Sequence, residues 1–597
     1  MNNKLISFAA AAATLFAFAA CNKDVNQIDV VTPGTGTYAK VSISMGTPGT
    51  RATVGNPDEF DAGTADEAKV NSIMLVVYDA DGKVVGYGST SNDKPAAGSG
   101  TENVSDTYEK VIELTMVGEK KNAATVVAYV NVANEILPLS QAKEETTDEI
   151  GKLGKFVMTN AAFFDKDDSD QPTVWKIATD IEDGSLYSSP EAAAAGDAKT
   201  TIYVERLAAK VNVSLKTGTV DTEAKINIVG ADGETEYVLD FDAAKALWAP
   251  TGTAPEMYKL KNQWTEDLGD WTIGTNRNFW AKGVYYATPY ADFTGKPVLN
   301  YVSSNALRNT GDDTKGIKMG ASDYTTEHTY GDSVVNDEEG DYNALGAATS
   351  AFVLGQYVVK EKDGDKPVAT KFQKTITIEG STPARSYTGY DFYLLLNTIA
   401  EKENYTIFTE SELVDYLFNA QNPELYAGEA KSKFVASEYY TVEWKKDDKQ
   451  YVLKKEKDLP DLYTKEVAEE ETNYNPYADV KTSKGTNARH YNLGYAYFYA
   501  PIEHLAAFKN EAGDPLTKAV GQYGVVRNHS YKLTVNSITS LGAPLDDDHF
   551  GTDPDNPTPD PEDPGEEPII PDPDEAALIR AELKVLSWHV VSQGVDL

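Results

Sequence analysis

The chain has 597 residues, 41% of them apolar, and a formal net charge of −39. That length allows two to four domains with real cores, and the negative charge makes nucleic acid a poor partner, since it repels phosphate backbones. A single cysteine rules out any disulfide within the chain, so stability outside the cytoplasm has to come from packing.

Residues 1–20 read as a secretory signal peptide. Lys4 supplies a minimal positive start, and Leu5 to Ala20 form an apolar run too short and too early to span a membrane. The run ends Phe18-Ala19-Ala20-Cys21. A lone cysteine at that point resembles the lipobox of bacterial lipoprotein precursors, although Phe18 departs from the usual leucine. The alternative is an ordinary signal cut nearby with an idle thiol.

Residues 38–46 place Val41, Ile43 and Met45 on one face, the period-two pattern of a strand. A Pro48-Gly49 turn follows, and then Arg51, the one arginine before Arg206 in a chain with 46 lysines and eight arginines. A single arginine in an exposed loop is a natural address for an Arg-specific protease. It is equally a solvated surface charge unless something else points to cleavage.

Strands are predicted at Ile73–Tyr78, Lys83–Tyr87, Val111–Met116 and Thr125–Val132. The Asp79-x-Asp81-Gly82 segment reads as a hairpin turn, because the later ligands of a calcium loop are missing. The run Val204–Leu215 carries the chain toward a second domain, which mixes strands with long polar insertions. Its best helix starts at the capping box Thr409-Glu410-Ser411-Glu412 and is stopped by Pro423. Strands at Tyr495–Tyr499, Tyr523–Val526 and Tyr531–Ile538 end the block. Many short strands with few helices indicate β-sandwiches.

Residues 544–575 hold nine prolines and thirteen carboxylates, and no Lys or Arg lies between Lys532 and Arg580. Such a stretch buries too little apolar surface to fold alone and is expected to be extended. Behind it, residues 578–597 alternate apolar and polar residues in the manner of a half-buried strand. Two readings stay open: the tail folds back onto its own domain, or it completes a neighbouring molecule. Its apolar parity changes between Val585 and Leu586 and again at Val591, which suits a bulge or burial on two sides.

No catalytic constellation stands out. There is no phosphate-binding glycine loop, no G-x-S-x-G and no H-E-x-x-H. The six histidines (328, 490, 504, 529, 549 and 589) show no metal-ligand spacing. The reading is a non-enzymatic protein with no cofactor and structural histidines.

Four segments carry a resemblance. They are Arg277-Asn-Phe-Trp-Ala281, Tyr497-Phe-Tyr-Ala-Pro-Ile-Glu-His504, Gly524-Val-Val-Arg-Asn-His-Ser-Tyr531 with its continuation to Ile538, and the tail Trp588–Leu597. Together they resemble the fimbrillin family, the shaft proteins of type V pili, and within it the major subunit of the shorter, minor-type fimbriae. Glu205–Val211 fits the family's N-terminal domain.

The resemblance implies an all-β protein of two transthyretin-like β-sandwich domains, at 52–220 and 221–540. It adds a propeptide at 21–51 with a removable strand, an acidic Pro-rich linker at 541–577 and a C-terminal donor strand at 578–597. It implies an outer-membrane lipoprotein precursor acylated at Cys21 (palmitate), cut at Arg51-Ala52 by a gingipain-type protease and polymerised by strand exchange. Val41, Ile43 and Met45 then line the strand to be lost, and Leu586, Trp588, Val590, Val595 and Leu597 belong to the donor. The implied partners are copies of the same chain, the protease, and accessory tip and anchor fimbrillins, in fimbriae that support adhesion and biofilm formation. The competing readings are a surface glycan-binding lipoprotein and a tip or anchor fimbrillin.

Overall fold

The computed structural model describes residues 36–44, 60–61, 63–64, 66–91, 107–132, 143–145, 150, 155–161, 163–166, 172–176, 178–216, 226–261, 283–286, 299–302, 316–329, 348–362, 369–378, 385–397, 403–422, 435–445, 448–459, 480–502, 504, 524–536, 538, 540–545 and 581–588. Nearly all of its elements are strands. In the first half these include β1 (Thr37–Ser44), β2 (Phe60–Asp61), β3 (Ser72–Tyr78), β4 (Val84–Ser91), β5 (Thr107–Met116), β6 (Thr125–Val130), β7 (Met158–Asn160) and β8 (Thr200–Arg206).

Apart from β2, these strands pair in a ring: β6, β3, β4, β5, β1, β8, β7 and back to β6. Alternation explains the ring's interior. Val41 and Ile43 on β1, Ile73, Leu75 and Val77 on β3, and Ile202 and Val204 on β8 all turn into one core. Strand β3 reads as an unbroken apolar run because its other face is also covered, with Met74, Val76 and Tyr78 packing on Val127 and Tyr129. Between β4 and β5 the backbones approach so closely that a Cβ on Gly88 would come within 2.1 Å of the Glu113 carbonyl oxygen. The Asp79 carboxylate accepts from the backbone N–H groups of Asp81 and Lys83, so the Asp79-x-Asp81-Gly82 segment is a self-capped turn.

The chain changes sheets at Leu207-Ala208, inside the Val204–Leu215 run. The second sandwich is built from β9 (Ala209–Leu215), β10 (Ile226–Gly230), β11 (Glu236–Phe241), β12 (Leu247–Thr251), β13 (Ser322–Thr325), β14 (Ser350–Glu361), β15 (Phe392–Asn397), β16 (Glu403–Phe408), β17 (Arg489–Tyr491), β18 (Tyr495–Pro501), β19 (His529–Val535) and β20 (Ala581–Trp588). One sheet has the order β2-β20-β19-β9-β13. The other runs β12-β14-β11-β10-β16-β15-β17, with β18 also on β14. Val211, Val213, Tyr531 and Leu533 from the first sheet meet Trp248, Val353, Tyr357 and Phe498 from the second in a single core.

A satellite core caps this sandwich. Helix α2 (Glu410–Gln421; α1 is the short helix Pro190–Ala195) carries the predicted capping box, with Thr409 and Glu412 exchanging side-chain to backbone hydrogen bonds. Leu413, Val414 and Leu417 are buried against Tyr440, Tyr451 and Leu453, whereas Tyr416 points outward. The first residues of the expected linker pack on the second sandwich, where Ala543 and Pro544 form a short strand paired with β18. Leu541, Ala543 and Leu545 are buried, because these apolar side chains find room beside β18.

Candidate functional site

Two places answer to the sequence reading: the slot occupied by β1, and the position of the tail. Strand β1 has a backbone partner on each side. It pairs antiparallel with β5 over its full length, Thr37 opposite Leu114 through Ser44 opposite Thr107, and parallel with β8 from Val41/Thr200 to Ser44/Tyr203. The strand Leu186–Tyr187 covers its start, at Ala39 and Tyr38. Ile43 is 0% exposed and Val41 2%. Met45 lies outside the described residues, as do Cys21, Arg51 and Ala52.

A polar fastening holds the outer face of β1. The Lys40 ammonium donates to the Gly196 carbonyl at 2.6 Å and lies 3.1 Å from Glu109. Lys199 shares that carboxylate at 2.7 Å. Together Lys199 and, next, Lys40 hold the Glu109 carboxyl below its ordinary range. Removing β1 would therefore open an apolar channel, leave the facing N–H and C=O groups of β5 and β8 without partners, and strip Gly196 of its donor. Lys40 was missed from sequence, because one more lysine among 46 carries no signal.

The tail strand β20 lies in its own chain's second sandwich. It pairs antiparallel with β19, from Val535/Ala581 to His529/Ser587, and parallel with β2 at Phe60/Ser587 and Asp61/Trp588. This placement holds Leu586 and Trp588; Val590, Val595 and Leu597 lie outside the described residues. The two-residue β2 had no sequence signal of its own.

The described histidines are buried in structural roles. His490 contacts Asp391 at 3.2 Å and stacks on Tyr393 at 4.1 Å, and His504 contacts the Tyr531 hydroxyl at 2.7 Å. Among the described residues no group of three or more His, Cys, Asp or Glu side chains is placed to hold a metal ion.

Both places fall within matches to known families. Residues 39–173, which hold all of β1 but its first two residues, match the family model of the major fimbrial subunit protein FimA. Residues 489–594, which hold β17 to β20, match the C-terminal model of the major fimbrial subunit protein type IV, fimbrillin. The chain belongs to the fimbrillin family.

Several solved structures are similar to this chain at low likeness. A fimbrilin (FimA) from Porphyromonas gingivalis is 11% identical with a TM-score of 0.33, covering 93% of this chain and 99% of that one. A fimbrial assembly protein from Parabacteroides distasonis is 13% identical with a TM-score of 0.22, covering 56% and 98%. The C-terminally truncated tip fimbrial protein Mfa3 of P. gingivalis is 13% identical with a TM-score of 0.21, covering 62% and 99%. A comparison with curated proteins finds no match. The assignment rests on the two family models. As a fimbrillin, the chain is a structural subunit of a cell-surface fimbrium, in a family of structural proteins and not of enzymes.

Proposed function

We propose that this fimbrillin is a shaft subunit, exported as a lipoprotein on Cys21, activated by an Arg-specific cut at Arg51-Ala52, and polymerised by donor-strand exchange. In this reading the cut releases β1, and residues 578–597 of another copy fill its slot. The fibre that results serves adhesion and biofilm formation, with accessory tip and anchor fimbrillins at its ends.

The observation that carries the reading is the asymmetry between the two strand positions. The β1 slot offers a full-length ladder on β5 and a second ladder on β8. Among the described residues, the tail's resting place offers β19 on one side and the two residues of β2 on the other. A tail moving into an emptied slot gains backbone partners and an apolar lining together. Four or five side chains buried at about 1.5–3 kcal/mol each would contribute on the order of 10 kcal/mol before association costs. At about 3.1 Å per residue, the thirty or so residues before the tail would reach about 90 Å when extended.

The β20–β19 ladder also favours a second reading, in which the tail is a permanent strand of its own sandwich. One experiment separates the two. Lys532 and Lys584 are directly opposite, so the double variant Lys532→Cys/Lys584→Cys can be locked by oxidation. Under exchange, the locked protein is cut normally yet stays monomeric, and reductant restores polymerisation. Equal assembly in the locked and reduced states would eliminate exchange of this tail.

A further inference from the structure

The two sandwiches meet through buried charges. Arg527, in the turn before β19, is 0% exposed, as is its partner Glu327. The guanidinium grips both oxygens of that carboxylate, Nε at 3.0 Å and Nη2 at 2.9 Å, and the Arg527 backbone N–H adds a third bond at 3.3 Å. Its remaining donors reach the Lys259 carbonyl at 2.8 Å and the Tyr258 carbonyl. The Lys259 carbonyl also accepts from the Thr159 hydroxyl of β7 at 2.8 Å, so one carbonyl ties the first sandwich to the Arg527–Glu327 pair.

Two further ties cross the same junction. Lys261 lies 3.1 Å from Glu205 of β8, with both side chains buried. Glu67, 1% exposed, lies 3.0 Å from Lys210 of β9 and accepts from the Tyr324 hydroxyl of β13 at 2.5 Å. The Glu67 carbonyl accepts from Arg206 Nε at 2.8 Å. These ties flank the Leu207-Ala208 crossing, where Asn528 N–H donates to the Ala208 carbonyl at 2.9 Å.

Buried ion pairs are a poor device for stability alone, because apolar residues of similar volume do as well or better. Their distinctive property is direction. The bidentate Arg527–Glu327 pair lies within the second sandwich and fixes the guanidinium in one orientation, from which it reaches the Lys259 carbonyl that Thr159 of the first sandwich also uses; an apolar contact would tolerate sliding. Burial alone would push the Glu327 carboxyl up, but the charge and hydrogen bonds of Arg527 outweigh it and keep that carboxyl low.

We propose that the Arg527–Glu327, Lys261–Glu205 and Glu67–Lys210 ties form an orientational lock that makes the two sandwiches one rigid body. A subunit joined to neighbours through both domains then passes tension along the fibre without hinging at Leu207-Ala208. The lock belongs to the single chain, so its failure would leave the strand-exchange reading untouched.

The test is single-molecule energy transfer on the full chain with Cys21→Ser, labelled at Asp81→Cys in the first sandwich and Glu234→Cys in the second. Both positions are exposed turns. The unmodified junction should give one narrow distance distribution. The apolar replacement Arg527→Met/Glu327→Leu should keep the circular-dichroism spectrum and melting temperature while the distribution broadens or splits. Lys261→Met/Glu205→Leu should act in the same direction and guards against misfolding of the first pair. A single narrow distribution in folded apolar variants, unchanged from the parent, would overturn the lock.

Discussion

The Lys40 ammonium sits 3.1 Å from the Glu109 carboxylate and joins β1 to β5 on the outer face of the first sandwich. Glu109 is well exposed and keeps Lys199 when Lys40 is lost, so the ion pair itself contributes little. The hydrogen bond to Gly196 matters more. Lys40→Met is expected to lower the stability of the uncut precursor by about 1–2 kcal/mol. Protein cut after Arg51 no longer contains residue 40, so its urea midpoint should not change. A midpoint shift in the cut protein would mean that β1 stays bound after cleavage.

Ile43 probes the inner face of the same strand. It is fully buried among Val41, Ile202 and Val204. Ile43→Ala should cost about 2–5 kcal/mol in the precursor, a large part of a domain's typical margin of about 5–15 kcal/mol. Urea melts of precursor and cut protein side by side check this. Equal losses in both forms would contradict release of β1.

The proposed maturation rests on Cys21, the single cysteine, and on Arg51, the one arginine before Arg206. Arg51→Ala should give an uncut, normally folded monomer, and assembled fibres should begin at Ala52. Cys21→Ala should abolish incorporation of labelled fatty acid. N-terminal sequencing of fibres that finds residues 21–50 still attached would reject the cleavage proposal.

Acid should loosen the second sandwich. Burial lowers His328 and His529 from an ordinary 6.5 to about 4, and it holds His504 well below its ordinary value. The unfolded chain therefore binds more protons than the folded one between these values. The stability these groups provide is complete above about pH 6.5 and is lost as pH falls toward 4. The loss is on the order of 3 kcal/mol for each of His328 and His529. Urea midpoints from pH 7.5 to 4 should fall in that window, and His328→Gln should flatten the slope. A midpoint independent of pH over that range would show that these rings are solvated.

What was legible in the sequence was local. The alternation of Val41 and Ile43 gave a strand with one apolar face, because side chains on a strand point to opposite sides in turn. The Thr409–Glu412 capping box opened a helix because both partners lie within one turn. The family segments at Tyr497–His504 and Gly524–Ile538 were legible as chemistry of residue types in order. Long-range partners were not. The Arg527–Glu327 pair spans 200 residues of sequence; Arg527 lies in one of the segments that carry the family resemblance, but nothing in the sequence names Glu327 as its partner. The helix pattern did not say that Tyr416 would be left outside, because the satellite core is supplied by Tyr440, Tyr451 and Leu453 from a distant hairpin. For the tail, apolar alternation specifies a strand that fits a sheet but not which sheet. Only the tertiary structure decided that Ala581–Trp588 lies between β19 and β2, since backbone hydrogen bonding is the same at every strand edge and the choice is made by packing.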